Sequence, residues 1–350
     1  MREPRTYDAP TMSTPIVATR WGIIGTGGIA RVFAQCVTTT SSGTISQICS
    51  RNAKSAEALC VDFGGSPSTV VDHTIRSCDA IYIATPHTAH RDVAVAALHA
   101  GTPVLCEKPM TCSEADTRTV VDAARTSGTP LIEAWMYRCH PQIGLAVSLL
   151  RTNAIGAVQH IATTFGFEAN VDAMHRLRNP DLGGGAILDI GGYPMSISML
   201  FAGDTHVHAS PSTLQATGTL DSTGVDADTT ATVTFDGGTT ATLRASITTD
   251  LGMHVEVRGT DGALCLESPF LPESKREGLR ATVVLSVDGH CVKQHIHAPV
   301  DCFSLEARAM RALIASGNIE PPFPMVGHDE SIAIAAALDR WRAALTEPDS

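Results

Sequence analysis

From Trp21 to about His140, short apolar runs alternate with amphipathic stretches. The runs at 20–24, 44–49, 79–84, 103–106 and 130–134 have strand length, while segments such as 92–100 and 113–126 have helical length and apolar spacing. Strands that alternate with helices predict a parallel sheet of right-handed βαβ units. After Pro141 one more helix is expected, and then the texture changes. From about 158 to 297 the chain is rich in Thr, Val and Ile in short runs, punctuated by Asp236-Gly237-Gly238, Asp261-Gly262 and Asp288-Gly289. That pattern predicts an antiparallel sheet joined by hairpins. The stretch between Gly185 and Phe201 stands apart, because its length and polarity suit a partly buried helix despite internal glycines and a proline. Two further helices, near 302–316 and 328–345, close the chain. The expected class is α/β, divided into a leader at 1–19, a dinucleotide-binding domain at 20–140 and an α+β domain at 141–350 for substrate and oligomer contacts.

Composition narrows the function. The 350 residues are 43% hydrophobic and 17% charged, enough to bury two sizeable cores. A net charge of -11 repels nucleic acid and anionic membrane surfaces, so a small-molecule enzyme fits better. No stretch of 18 apolar residues occurs, and the first twenty mix Arg, Glu, Asp and Pro, with Met12 as an alternative start. A cytoplasmic protein is expected. The ten cysteines are scattered, without a Cys-x-x-Cys pair, and read as reduced, packed thiols. His206-Val-His208 and His295-Ile-His297 would each share a strand face, yet neither has the further ligands that a metal needs. No metal is expected.

The candidate chemistry begins where the first strand should hand over to a helix. Gly25-x-Gly27-x-x-Ala30, with Gly28 and Ile29 inside it, occupies that turn. Glycines there suit a plain reversal, but in this context they also match the dinucleotide fingerprint. The first makes the turn, the second admits pyrophosphate to the backbone, and the small third residue lets helix and strand pack closely. An acid at the end of the second strand would hold the ribose 2′-hydroxyl of NAD. This chain instead has Ser50-Arg51-Asn52 with Lys54 close behind, a set suited to the 2′-phosphate of NADP, though the two cations equally suit a solvated helix start.

Three later motifs follow in order: Ala84-Thr85-Pro86-His87-Thr88-Ala89-His90, then Cys106-Glu107-Lys108-Pro109, then Gly183 to Tyr193 (GGGAILDIGGY). Together with the fingerprint they resemble the Gfo/Idh/MocA oxidoreductases, in particular the branch of dimeric dihydrodiol dehydrogenase and glucose-fructose oxidoreductase. The resemblance implies an N-terminal Rossmann domain and a C-terminal α+β domain with an open, mainly antiparallel sheet. It also implies association through that sheet, as a homodimer or homotetramer. Lys108 matches the lysine that faces the substrate oxygen beside the nicotinamide, and a cis bond to Pro109 would aim it. Thr85, Pro86, His87 and His90 match a cofactor-contacting loop, with Glu107 beside it, although His90 equally suits a helix cap.

Asp189 and Tyr193 are four residues apart and share a helical face. By resemblance Tyr193 is the general acid/base, where many members have histidine, and Asp189 orients the substrate or the lysine. The preceding Gly183-Gly184-Gly185 run is expected to let the chain approach a ligand. A phenol is a poor base at neutral pH, so the Lys108 ammonium is expected to lower its pKa. Arg138, His140 and Arg176 are expected to help form the substrate pocket. The implied reaction is reversible hydride transfer between NADP or NAD and a carbinol carbon of a sugar, polyol or dihydrodiol. Two rivals remain: a glycosidase using bound NAD for transient oxidation and elimination, and a cofactor-binding regulator without catalysis.

Overall fold

The computed structural model describes residues 18–203, 208–272 and 280–345. Residues 1–17 of the expected leader lie outside it. Thr19 is already packed, its carbonyl accepting the Thr44 N–H at 2.9 Å.

The chain first winds through β1 (Arg20–Ile24), α1 (Gly28–Thr39), β2 (Thr44–Cys49), α2 (Ala53–Phe63), β3 (Ser66–Ser68) and α3 (Val71–Ser77). It continues through β4 (Ala80–Ile83), α4 (His90–His99), β5 (Val104–Glu107), α5 (Glu114–Ser127) and β6 (Leu131–Ala134). All the strands pair in parallel, in the order β3-β2-β1-β4-β5-β6, which is a Rossmann sheet. Every residue of β4, β5 and β6 is buried, because helices cover both faces. On one face Phe33 stacks on Tyr82 with ring centroids 3.8 Å apart. The five expected strands are present, and β3 is an addition: Ser66-Pro67-Ser68 is polar, and only its position at the sheet edge accommodates the proline.

Next come α6 (Pro141–Arg151), β7 (Val158–Gly166) and a π-helical turn (Ile187–Gly191) that runs directly into α7 (Gly192–Ala202). Then follow β8 (Pro211–Leu220), β9 (Asp226–Phe235), β10 (Thr240–Ser246), β11 (Gly252–Gly259), β12 (Gly262–Glu267), β13 (Thr282–Val287) and β14 (His290–His295). They form one sheet in the order β14-β13-β12-β11-β7-β10-β9-β8, antiparallel except for the parallel pair of β7 and β10. The three Asp-Gly turns close the β9–β10, β11–β12 and β13–β14 hairpins. Among the described residues, the only stretch long and apolar enough to cross a membrane, Pro180–Ala202, is the core helix beneath this sheet and is 94% buried over its most apolar window.

The last two helices are α8 (Cys302–Ser316) and α9 (His328–Ala344). Chain order and packing part company at α8. Its Ala307, Met310 and Leu313 complete the core over the first sheet, beside Phe33 and Ile48. Helix α9 packs on α5, α7 and β8, so the C-terminal segment ties the two sheets together.

Candidate active site

A cleft of about 930 Å³ opens at the carboxyl ends of β1, β4 and β5, the place where open α/β sheets hold ligands. Gly25–Ile29, Cys49–Arg51 and Thr85–His90 line it, and so do Glu107, Lys108, Met136, Arg176, Asp189 and Tyr193. The glycine loop is shaped for a group outside the chain. Gly25 has φ +116°, and a side chain there would collide with the Ala84 carbonyl, so this glycine serves the turn. Gly27 has an ordinary φ of -72°, and a Cβ at Gly27 or Gly28 would meet nothing within 4 Å. No side chain caps α1 either, which leaves its first amides facing the cleft lining. The fully buried Ala30 packs the helix against the sheet. An open cradle at a bare helix N-terminus fits a pyrophosphate.

Beyond β2, Ser50 and Arg51 line the cleft, and the Ser50 hydroxyl lies 3.4 Å from that of Thr26. Lys54 is exposed on α2 and does not reach the lining.

The Lys108–Pro109 peptide is cis. The Lys108 ammonium donates to the Asp189 backbone carbonyl at 2.6 Å and lies 4.9 Å from the centre of the Tyr193 ring. Arg176 donates to the Asp189 carboxylate at 2.8 Å. Burial acts against ionisation of Asp189, but Lys108 and Arg176 outweigh it and hold the carboxyl below its usual range. Tyr193 behaves otherwise. It is 6% exposed, and its hydroxyl points to the Met136 sulfur at 3.9 Å. Burial, reinforced by Glu107 and Asp189, pushes its pKa well above the ordinary phenol value. The expectation that Lys108 lowers it is therefore corrected: the ammonium lies over the ring and donates to the Asp189 carbonyl, and desolvation prevails.

The surrounding groups orient this set. Glu107 is buried, accepting the Tyr82 hydroxyl and, at 3.2 Å, the Lys108 N–H; burial raises its pKa. His90 is no helix cap. Its ring lies between two carbonyls, Nε2 2.8 Å from that of Thr85 and Nδ1 3.1 Å from that of Pro109, and its one N–H donates to one of them. His87 lines the cleft with Nδ1 3.0 Å from the Gly183 carbonyl; burial, with His90 and Lys108 nearby, lowers its pKa to about 3, so the ring stays neutral.

Two expected pocket residues lie elsewhere. Arg138 has a fully buried side chain that pairs with Glu330 and donates to the carbonyls of Pro324 at 2.8 Å and Ser196 at 3.1 Å. Its charge needs partners more than the cleft needs a cation. His140 is also buried and caps α6, accepting the Gln142 N–H at 3.1 Å. The Gly183-Gly184-Gly185 run is corrected too. Added Cβ atoms would strike the Cys112 sulfur at 2.9 Å, the Leu177 carbonyl at 2.8 Å and the Asp226 carboxylate respectively, so these glycines accommodate protein, not ligand. Conversely, His175, Leu271 and Phe303 line the cleft without any local signal in the sequence. Among the described residues no three metal-ligating side chains cluster, and His206 lies outside them. None of the ten cysteines forms a disulfide.

A Rossmann sheet whose glycine loop faces a lysine, an aspartate and a tyrosine defines a class: the NAD(P)-dependent oxidoreductases. Residues 19–134 match the NAD-binding Rossmann domain of the GFO_IDH_MocA oxidoreductase family, and residues 145–265 match a C-terminal domain of the same family. The chain belongs to the Gfo/Idh/MocA family. It is 30% identical to D-xylose 1-dehydrogenase (NADP(+)) 2 of Haloferax volcanii, over 91% of this chain and 95% of that one. It is 31% identical to the trans-1,2-dihydrobenzene-1,2-diol dehydrogenase of Xenopus laevis, over 91% and 96%. Among solved structures, the 3-ketoreductase KijD10 of Actinomadura kijaniata, with NADP and TDP-benzene, superposes with a TM-score of 0.82 at 26% identity, covering 94% of this chain and 98% of that one.

Proposed function

We propose that this oxidoreductase interconverts a hydroxyl and a carbonyl on a sugar, polyol or dihydrodiol, with NADP preferred over NAD. The observation that carries the reading is the meeting of Lys108, Asp189 and Tyr193 in the cleft that holds the open glycine loop. Bound there, the dinucleotide supplies hydride donation or acceptance at its nicotinamide. Tyr193, protonated because it is desolvated, gives a proton to the carbonyl oxygen during reduction. Lys108 stabilises negative charge growing on that oxygen, and Asp189 tethers the lysine through its backbone carbonyl. Arg176 joins Asp189 at the cleft wall as a donor for substrate hydroxyls. NADP preference is supported by Arg51 in the lining, by the lack of an acid from Cys49 to Lys54, and by the NADP-dependent relative. Association through the second sheet, as a homodimer or homotetramer, is supported by the wholly exposed β14, and a cytoplasmic setting by ten cysteines that form no disulfide.

Tyr193→Phe keeps the ring and removes the exchangeable proton. Turnover of NADP with a panel of sugars, polyols and dihydrodiols is expected to fall by about 10² to 10⁴, with NADPH affinity nearly unchanged. In the unmodified enzyme, reduction should hold its rate from neutral into alkaline pH, since a raised pKa keeps the phenol in its acid form; oxidation, which needs phenolate, should rise over the same range. A Tyr193→Phe enzyme with ordinary turnover overturns the assignment. Net change in nicotinamide absorbance separates this reaction from a glycosidase that regenerates its cofactor in each cycle, and from a regulator.

A further inference from the structure

The helix that carries Asp189 and Tyr193 begins without a cap from its own segment: the residue before the π turn, Ala186, supplies no side-chain hydrogen bond. A residue from a different element takes that place. Asp226, the first residue of β9 and 7% exposed, accepts the Ile187 N–H at 2.6 Å, and the Ala186 N–H also acts on its carboxylate. Gly185, at φ +111°, leaves no room for a Cβ beside that carboxylate, and the Asp189 N–H closes the turn on the Gly185 carbonyl at 3.1 Å. One side chain on the second sheet therefore fixes the turn whose Asp189 carbonyl receives Lys108 and whose next turn holds Tyr193.

We propose that Asp226 is a positioning residue for hydride transfer, clamping the first turn of the catalytic helix so that the Asp189 carbonyl and the Tyr193 phenol meet Lys108 in register. The inference rests on the roles given above to Lys108 and Tyr193. A carboxylate at a helix N-terminus is favoured by the unpaired amides and the helix dipole, and it tethers the turn to a rigid strand. Tyr193 reaches the substrate from a helix whose Ile187 amide is held by this buried carboxylate. A shift of about 1 Å in that helix separates donor from acceptor and is felt in the chemical step, whereas the glycine loop that binds the dinucleotide belongs to the other sheet.

The test uses the full-length chain. Asp226→Ala should lower kcat by about 10- to 100-fold while the dissociation constant for NADPH, read by nucleotide fluorescence, stays within about twofold. Asp226→Asn, which keeps an oxygen in reach of the Ile187 N–H, should recover most of that loss. In a Tyr193→Phe background, Asp226→Ala should cost less than about threefold, because a misplaced helix matters little once the proton donor is gone. Should Asp226→Ala fail to fold, Asp226→Ser, too short to reach the amide, carries the same comparison. Unchanged kcat in a folded Ala or Ser variant, or the same fractional loss in both backgrounds, overturns the positioning role. Ordinary turnover in Tyr193→Phe alone instead overturns the underlying reading and is seen before any Asp226 variant is made.

Discussion

The chain contains two glycine runs, one lining its cleft and one beyond it after Leu182, and they are glycine-rich for opposite reasons. Around Gly27 and Gly28 the space that a side chain would fill is empty, and the backbone of Gly27 is one that any residue adopts. Nothing in the protein requires glycine at Gly27, and the open space there is room for the proposed dinucleotide. Around Gly183, Gly184 and Gly185 the same space is filled by Cys112, by the Leu177 carbonyl and by Asp226. There the protein itself requires glycine. An occupied Cβ position marks chain packed on chain, while an empty one in the cleft lining leaves room for a ligand.

Substitutions can break this comparison. The largest effect is expected from Gly185→Ala, which combines a left-handed φ with a clash against Asp226; the loss of stability should be about 3 kcal/mol by denaturant unfolding. Stability within about 0.5 kcal/mol of the parent would show that the helix start yields to a methyl group. Gly27→Val comes next. The fold should stay intact, with an unchanged unfolding midpoint, while NADPH binding weakens by about 100-fold, or about 2.7 kcal/mol. Normal affinity in that variant would reduce the loop to a turn. The smallest effect sharpens the ligand side of the comparison: Arg51→Ala should weaken NADP by about tenfold, the scale of one charge-assisted contact, and leave NAD nearly unaffected. An equal loss for both nucleotides sinks the 2′-phosphate assignment.

The first sheet was legible because its signal is local. Runs such as Ala80–Ile83 and 104–106 are buried on both faces and therefore read as apolar stretches. Ser66–Ser68 was not legible, since a three-residue polar edge strand borrows its order from β2 and carries no pattern of its own. In the site, Lys108, Asp189 and Tyr193 were visible as motifs and do converge, yet their contact is made between segments 81 residues apart. Arg138 misled for the same reason. Its place just past β6 suggests the cleft, but Glu330, 192 residues away, draws it into the interior.

What the sequence alone determined is the alternation of strands and helices, the change of texture after Pro141, the hairpin turns and the fingerprint at Gly25 to Ala30. Each depends on neighbours within a few residues, through the strand and helix periods and the dihedrals that glycine allows. Only the tertiary structure decided which glycines have open space beside them, that Asp226 caps the helix of Asp189 and Tyr193, and that the Tyr193 phenol stays protonated beside a lysine. Desolvation and pairing depend on which remote groups arrive at a point in space. The loss of water around Tyr193 outweighs the cation that lies over its ring.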